Sequence, residues 1–364
     1  MSVEAVALAE LRARFPVLAR LAYLNAGTNG PVPSAATAAA AAELAREERD
    51  GRAGTAHFAH RQELAEALRV AYAARLGCDP GDVALTTSTT DGVARALLAL
   101  DLRAGEEIVT SEEEHPGLLG PLAAQRARGV AVRAVPLAQV AEAVGPRTRL
   151  VACSHVSWRS GALAPAALAQ LDVPVLLDGA QGVGAVPVDL AALGADVYAA
   201  AGQKWLCGPE GTGVLYVAPA LRERLRVPAP GYVNLADPAA GLDAVARPDG
   251  RAYDAPALAA ASLAAARAAL DELGAAGWEA LHAHAVTLAV EAAEALRARG
   301  RDVLPRDRTT LVSWRELDAA AAVERLGAAG VVVRSLPGDE IVRASFGGWS
   351  SPEDLERLLA ALPV

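Results

Sequence analysis

Short apolar runs alternate with helical patterns through the first two-thirds of this sequence, and that alternation limits the fold more than any other feature. Helical stretches such as Arg61–Leu76, Gly92–Leu98 and Leu118–Arg128 lie between most of the runs. This alternation is typical of a mostly parallel sheet with helices on both faces. We expect an α/β fold with seven strands, the last two forming a hairpin because no helix separates them. The predicted strands are Val83–Thr86, Glu107–Thr110, Val130–Val135, Leu150–Ser154, Val175–Asp178, Val197–Ala200 and Gly213–Val217.

The sequence changes character at residues 226–253, which are rich in Pro, Gly and Asp and predict a long irregular connection. Such a connection inside a compact protein is usually functional or marks a domain junction. The elements after it predict a small α+β domain. We therefore expect a large α/β domain at 16–245 and a small domain formed by 1–15 and 246–364. The elements predicted after the connection are the helices Pro256–Leu273, Gly277–Arg299, Leu317–Ala329 and Pro352–Leu362 and the strands Thr310–Trp314, Val331–Arg334 and Glu340–Ser345.

Composition and charge narrow the class of protein. A chain of 364 residues can bury a core large enough to fold without disulfides or a metal. Its formal net charge of -9 makes it a poor electrostatic partner for nucleic acid or an anionic membrane. The N-terminal stretch has interspersed charges and predicts an amphipathic helix rather than a signal peptide. With an odd, sparse set of three cysteines, these features predict a cytoplasmic protein.

The basic residues are unusually uniform. Lys204 is the only lysine, and the other basic residues are all arginine. Abundant Ala and scarce Lys, Ile and Asn are typical of a GC-rich genome. Arginine can replace lysine on most solvated surfaces, but it cannot supply a neutral amine. Lys204 is therefore a candidate functional residue, although composition alone allows chance survival equally well.

Two polar residues stand at the ends of predicted strands, the edge at which open α/β sheets bind ligands. Asp178 ends its strand and can pair with a cation or a protonated ring nitrogen, or else cap a helix. Lys204 follows a strand and precedes GPEGTG, whose glycine order differs from that of a P-loop. A desolvated lysine becomes a nucleophilic amine suited to a Schiff base. The two lie 26 positions apart, one strand–helix–strand unit, so they can project from neighbouring strand ends.

Two further features fit the same edge. Thr89 and Thr90 open a helix, where backbone N–H groups and hydroxyls favour an anion, although the same pattern is a common helix cap. His115 precedes a Pro-Gly turn, so its imidazole can stack on an aromatic ligand or remain solvated. A ring-nitrogen partner, an amine, an anion site and a stacking ring together predict a site for pyridoxal 5'-phosphate (PLP).

These motifs closely resemble those of the class V aminotransferase family, fold type I of the PLP-dependent enzymes. The resemblance runs from YLNAGTNGPVP near the start to RASFGGWSSPEDLERLLAAL at the end, and it is most specific over Leu176–Tyr216. Within the family, the chain looks most like the branch of cystine C–S lyases and isopenicillin-epimerase-like enzymes, which is related to the cysteine desulfurases. The resemblance implies a PLP cofactor and a homodimer.

The resemblance also implies roles for individual residues. Lys204 would hold the cofactor covalently, Asp178 would pair with its ring nitrogen, and His115 would stack on its ring. Arg343 would bind the substrate α-carboxylate through a bidentate pair, although an ordinary ion pair is the simpler alternative. Further cofactor contacts would come from Thr89, Thr90, Gln181, Gln203 and Ser157. The mouth of the site would be lined by Asn25, Thr28 and Trp158.

The chain departs from the desulfurases where their sulfur chemistry resides. Their nucleophilic cysteine lies on a loop shortly before the carboxylate-binding arginine, whereas the matching segment here, RSLPGDEIVR, is short and has no cysteine. Ala255-Pro256 stands where the partner-subunit loop has Thr-Pro. We therefore expect α,β-elimination from cystine, cysteine or a cysteine S-conjugate, giving pyruvate, ammonia and a thiol or persulfide. Transamination, epimerisation, a desulfurase-like reaction and a non-catalytic phospho-ligand-binding protein are the alternatives.

Overall fold

A computed structural model describes residues 3–228 and 230–363, with side chains from residue 6 onward. Its strands form one seven-stranded sheet, one three-stranded sheet and one two-stranded pair. The strands are β1 (Ala22–Tyr23), β2 (Val83–Thr86), β3 (Glu107–Ser111), β4 (Ala131–Val135), β5 (Thr148–Ser154), β6 (Val175–Asp178), β7 (Val197–Ala201), β8 (Gly213–Val217), β9 (Leu311–Arg315), β10 (Val331–Val332), β11 (Arg334–Ser335) and β12 (Ile341–Ser345). The α-helices are α1 (Val3–Ala13), α2 (Ser34–Asp50), α3 (Gly54–Leu76), α4 (Thr89–Leu100), α5 (Pro116–Ala127), α6 (Pro219–Arg222), α7 (Ala260–Ala275), α8 (Trp278–Ala298), α9 (Ala319–Ala328) and α10 (Pro352–Ala361).

The large sheet has the strand order β2-β8-β7-β6-β5-β3-β4. Only β8 runs antiparallel to its neighbours, and β7 and β8 form the predicted hairpin. The other neighbouring pairs are parallel. The predicted α/β fold with a mostly parallel seven-stranded sheet is confirmed.

Apolar cores cover both faces of this sheet. Helices α4 and α5 pack on one face through Val93, Leu97 and Leu118, and helices α3 and α7 contribute Leu68 and Leu263 to the other. A strand that is buried on both faces needs apolar side chains at consecutive positions. This explains why strands such as β6 read as continuous apolar runs in the sequence, with polar residues only at their ends.

The C-terminal elements form the second core. The three-stranded sheet β11-β12-β9 packs with helices α8, α9 and α10, and β1 joins this region by pairing with β10. Helix α7 instead packs against α2 and α3. Contacts therefore cross both of the predicted domain boundaries, and the division into 16–245 against 1–15 and 246–364 stays a prediction.

Two predicted elements differ in detail. The predicted strand Val331–Arg334 is split, because β10 pairs with β1 whereas β11 pairs with β12. The chain thus changes sheets at Val333, which a linear pattern of apolar residues does not reveal. Helix α7 begins at Ala260 rather than Pro256, since the preceding segment is extended and the Ala255 N–H donates to the Leu85 carbonyl at 2.7 Å.

The connection at 226–253 is irregular, as predicted. In its described part it contains three short 3₁₀ turns, at Tyr232–Asn234, Pro238–Asp243 and Gly250–Tyr253. Among the residues that the structure describes, no helix has the length and apolar character needed to cross a membrane.

Candidate active site

The site lies at the carboxyl edge of the large sheet. In register, Asp178 at the end of β6 stands beside Ser154 at the end of β5 and beside Ala199 of β7. Lys204 follows β7 by three residues. The sheet register therefore places Asp178 and Lys204 at the ends of neighbouring strands, as the sequence predicts.

Lys204 lies on a tight turn held by the N-terminal segment. The Gly30 N–H donates to the Gln203 carbonyl at 2.8 Å, and a Cβ at Gly30 would lie 2.2 Å from the Lys204 carbonyl oxygen. Only glycine allows this close approach. Burial lowers the pKa of the Lys204 amine to about 8, against the opposing effect of the Asp178 carboxylate, and the nearby Arg343 and Arg334 lower it further. A neutral amine is thus accessible near physiological pH.

Asp178 is buried, with 5% of its surface exposed. Its Oδ1 accepts a hydrogen bond from the Ala180 N–H at 2.9 Å, and within the described part of the chain no other donor bonds to the carboxylate. Burial raises its pKa, while the Lys204 ammonium opposes that rise. A buried carboxylate with an open oxygen is suited to a protonated ring nitrogen, whose charge would compensate the burial.

The predicted anion site has unpartnered polar atoms. Thr89 begins α4, with Ser88 as its N-cap, so the first backbone N–H groups of the helix have no acceptor within the helix. The Thr89 hydroxyl and the Gln203 Oε1 are buried and have no partner among the described residues. Thr90 is exposed, and its hydroxyl lies beside Gly117. The helix N–H groups and the threonine hydroxyls can donate to a phosphate at a helix N-terminus, whereas Gln203 would have to donate through its amide NH₂.

His115 and Trp158 are in direct contact. Their rings meet edge-on, with centroids 4.8 Å apart at 88°. The His115 Nδ1 accepts from the Gly117 N–H at 2.9 Å, which leaves Nε2 as the protonated nitrogen of the neutral ring. Burial lowers the pKa of His115 to about 4, and the charges of Lys204, Arg334 and Arg343 contribute. A neutral imidazole fixed in this way can stack on a flat ligand.

Gln181 and Ser157 form hydrogen bonds within the protein. The Gln181 amide donates from Nε2 to the Gly27 carbonyl at 2.8 Å and accepts at Oε1 from the Trp205 indole at 2.9 Å. One amide hydrogen remains for a ligand. The Ser157 hydroxyl donates to Glu113 at 2.6 Å and accepts from the Ser160 N–H. The geometry therefore favours a structural role for Ser157, and its predicted cofactor contact stays a prediction.

Strands β11 and β12 bring two arginines, Arg334 and Arg343, to the site. Arg343 is fully buried, with 0% of its surface exposed, and it has no carboxylate partner among the described residues. Burial lowers its pKa to about 9, and the nearby Arg334 contributes. The Thr28 hydroxyl accepts from Arg334 Nη1 at 3.2 Å and donates to Asn25 Oδ1 at 2.8 Å. The predicted residues Arg343, Asn25 and Thr28 thus lie together.

The sequence reasoning missed Arg334. It lies on β11 directly opposite Arg343 on β12, and residues opposite each other in an antiparallel pair share one face of the sheet. The signal was present in RSLPGDEIVR, where two arginines flank a tight turn. Pairing the two strands as a hairpin would have brought both guanidinium groups to the site.

Glu114, the residue before His115, was also missed. It is 4% exposed, and its carboxylate accepts from the Ser111 hydroxyl at 2.6 Å, the Ser154 hydroxyl at 2.5 Å and the Ser154 N–H at 2.9 Å. No cation pairs with it in the described part of the chain. Burial raises the pKa of Glu114 to about 7, although these hydrogen bonds oppose the rise.

We expect Glu114→Gln to change the pH dependence of stability. Because the folded-state pKa of about 7 exceeds the ordinary 4.5, Glu114 stabilises the fold most at low pH and loses this contribution as pH rises through 7. Glutamine does not titrate. The free energy of unfolding of the variant relative to the parent should therefore rise by about 3 kcal/mol between low and high pH. Denaturant melts at pH 4.5 and 8 measure it, and a constant difference would contradict the assignment.

The family model for aminotransferase class-V matches residues 22–358 of the chain. The chain belongs to the class-V aminotransferase family. Curated relatives of this family member include the isopenicillin N epimerase of Streptomyces clavuligerus, 29% identical over 59% of this chain and 58% of that enzyme. A cysteine desulfurase of Salmonella gallinarum is 36% identical over 40% of this chain and 39% of that enzyme. The chain thus matches less than two-thirds of the length of these curated relatives.

Solved structures match this class-V aminotransferase family member over almost its whole length. A C-DES mutant with glycine covalently linked to the PLP cofactor has a TM-score of 0.90 at 28% identity, covering 96% of this chain and 98% of that chain. A complex of the cystine C–S lyase C-DES with its reaction product cysteine persulfide has a TM-score of 0.89 at 28% identity, covering 95% and 98%. The predicted family and the fold type I architecture are confirmed, and PLP is the cofactor of this fold.

Proposed function

We propose that this protein is a PLP-dependent C–S lyase that performs α,β-elimination on a sulfur amino acid carrying a second acidic group, with cystine as the leading candidate. The observation that carries the proposal is the pair of opposed arginines, Arg334 and Arg343, which face Lys204 from a hairpin that has no cysteine. The similarity to the cystine C–S lyase C-DES supports the same reaction class.

The residues present fit the cofactor. Asp178 would hold the ring nitrogen, His115 would cover the ring, and Lys204 would hold the cofactor covalently. The phosphate would lie at the start of α4, against Thr89, Thr90 and Gln203. When bound, PLP supplies an electron sink that stabilises negative charge at the substrate Cα.

Lys204 is the group placed to move the Cα proton. Its lowered pKa of about 8 increases the fraction of neutral amine that can accept a proton, and the returning proton can then be given to the leaving group. His115 is a poor second base, because its lowered pKa keeps it weakly basic and its Nδ1 is occupied by the Gly117 N–H. One effective base favours elimination over epimerisation, which needs proton transfer at both faces.

The two arginines define the substrate class. The two positive charges on adjacent strands repel each other, and burial adds a desolvation cost for Arg343. Substrate carboxylates would relieve both effects. Arg343, the deeper of the two, suits the α-carboxylate through a bidentate pair, and the half-buried Arg334 suits a more distant acidic group. Cystine carries two α-carboxylates and so meets both requirements.

The sulfur would be released in a small-molecule product and would not be transferred to a cysteine of the enzyme. The hairpin between β11 and β12 spans residues 336–340 and contains no cysteine. Cys207, the cysteine nearest in sequence to Lys204, is 0% exposed, and burial raises its pKa well above its ordinary value. A thiol that stays protonated and inaccessible cannot accept sulfur from a substrate. We therefore expect the sulfur to appear in solution as a thiol or a persulfide.

A panel of sulfur amino acids tests the proposal. We expect pyruvate and ammonia from cystine at a higher kcat/KM than from cysteine or an S-alkylcysteine without a second acid. In Arg334→Ala, kcat/KM for cystine should fall by about 10- to 100-fold, while the monocarboxylic substrates change little, because a charge-assisted hydrogen bond contributes about 1.5–3 kcal/mol.

Several outcomes would contradict the proposal. Formation of the pyridoxamine form of the cofactor without pyruvate would indicate transamination, and loss of chirality without a keto acid would indicate epimerisation. If Arg334→Ala lowered kcat/KM equally for all substrates, Arg334 would not bind a second acidic group, but the lyase reaction would still stand. The predicted homodimer and cytoplasmic location remain part of the proposal.

A further inference from the structure

Glu113 lies two residues before His115 and forms hydrogen bonds to a turn at residues 157–161. Its Oε2 accepts from the Ser157 hydroxyl at 2.6 Å and from the Ser160 hydroxyl at 2.7 Å. Ser157 and Ser160 are buried, with 0% and 7% of their surface exposed. Oε1 of Glu113 has no donor among the described residues. A single carboxylate oxygen therefore holds both serines.

The two serines in turn fix the backbone of the turn. The Ser157 hydroxyl accepts from the N–H groups of Arg159 and Ser160 at 3.3 and 3.2 Å. The Ser160 hydroxyl accepts from the Ala162 N–H at 3.3 Å. Glycine at position 161 adopts φ +80°. Because each hydroxyl donates its one hydrogen to Glu113, its lone pairs remain free to accept from the backbone.

This turn carries the strongest contact that orients Arg343. The Trp158 carbonyl accepts from Arg343 Nη1 at 2.8 Å, whereas the Thr28 hydroxyl is 3.5 Å from Nη2. The Arg343 Nε has no partner among the described residues. The indole of Trp158 also meets the His115 ring. The position of the Arg343 guanidinium thus depends on the turn, and the turn depends on Glu113.

We propose that Glu113 is a positioning residue that sets the orientation of Arg343 toward a substrate carboxylate through the clamped turn at residues 157–161. The role requires an acceptor oxygen at Oε2 and does not require a negative charge. It rests on the proposed function only in that Arg343 binds a carboxylate. Preorganising a binding group reduces the ordering cost of binding, so its loss should weaken carboxylate binding and leave cofactor binding unchanged.

Calorimetric binding of glutarate to the PLP-loaded protein tests this inference. Glutarate has two carboxylates and no amine, so it cannot react with the cofactor. We expect Glu113→Ala to raise the Kd by about tenfold without changing the visible absorbance of the bound cofactor. Glu113→Gln keeps the acceptor oxygen and should stay within about threefold of the parent. The exposed neighbour offers a matched control, and Glu112→Ala should bind as the parent does.

The outcomes separate the alternatives. Parent-like glutarate binding in Glu113→Ala would overturn the inference, and so would equal losses in the Gln and Ala variants, since charge rather than position would then matter. Should Glu113→Ala fail to fold, the double variant Ser157→Ala/Ser160→Ala removes the contacts to Glu113 together with the hydroxyl contacts to the backbone of the turn. It should raise the Kd at least as much. If no sulfur amino acid yields pyruvate while Glu113→Ala still weakens glutarate binding, the lyase proposal fails and the role of Glu113 stands.

Discussion

Replacing Lys204 with alanine should abolish covalent attachment of the cofactor and lower pyruvate formation by about 10²–10⁴-fold or more, the range for loss of a positioned general base. Lys204 is the only lysine, so no other lysine can substitute. Borohydride reduction of the parent should fix the cofactor on the peptide that contains Lys204, and the variant should carry no fixed cofactor. Mass spectrometry and a pyruvate assay measure the two effects.

Two controls separate chemistry from folding in this experiment. Lys204→Arg keeps a positive charge but supplies no neutral amine, so it should be as inactive as the alanine variant. A small primary amine added to Lys204→Ala should restore part of the activity, because alanine leaves room beside Asp178. A variant that retains more than one-tenth of the parental rate would refute the role of Lys204.

Replacing Asp178 with asparagine should lower kcat by about 100- to 1000-fold with a smaller change in KM, a magnitude typical of removing one electrostatic contact to the transition state. The amide preserves the size of the side chain and can still accept from the Ala180 N–H. It cannot hold a proton on the ring nitrogen, because it lacks the negative charge. Steady-state kinetics and the visible spectrum of the bound cofactor measure the change.

Asp172 provides the matched control for this substitution. It precedes β6 and is exposed, so Asp172→Asn should leave kcat unchanged. In the cofactor-free protein, the melting temperature of Asp178→Asn should stay the same or rise, because a buried carboxylate whose pKa is raised costs desolvation energy that an amide avoids. A kcat within threefold of the parent would contradict the assignment.

The strands of the large sheet and most of its site could be predicted from the sequence, for a physical reason. Strands such as β6 are buried on both faces, so they are continuously apolar, and a polar residue such as Asp178 at their end stands out. Their carboxyl ends meet at one edge, which brings Lys204 and Asp178 together without knowledge of packing. The predicted anion site at Thr89 is likewise local, because a helix N-terminus is defined by consecutive residues.

The missed residues all depend on contacts between distant segments. Arg334 reaches the site because β11 pairs with β12 in one particular register. Glu113 acts through a turn more than forty residues away. The Ser157 hydroxyl donates to that glutamate, and its expected contact with the cofactor stays a prediction. Hydrogen-bond partners of this kind are selected by tertiary packing, and no sequence spacing records them.

The sequence by itself therefore determined the large sheet and the placement of Lys204 beside Asp178. Both follow from local periodicity and from the rule that the carboxyl ends of parallel strands meet at one edge. Tertiary structure decided which groups of the C-terminal strands lie near Lys204. Two arginines lie opposite each other on one hairpin, and Glu113 holds the turn that contacts Arg343. We propose that this arrangement selects acidic substrates. Strand register and side-chain burial set that arrangement, and both arise only when the chain has folded.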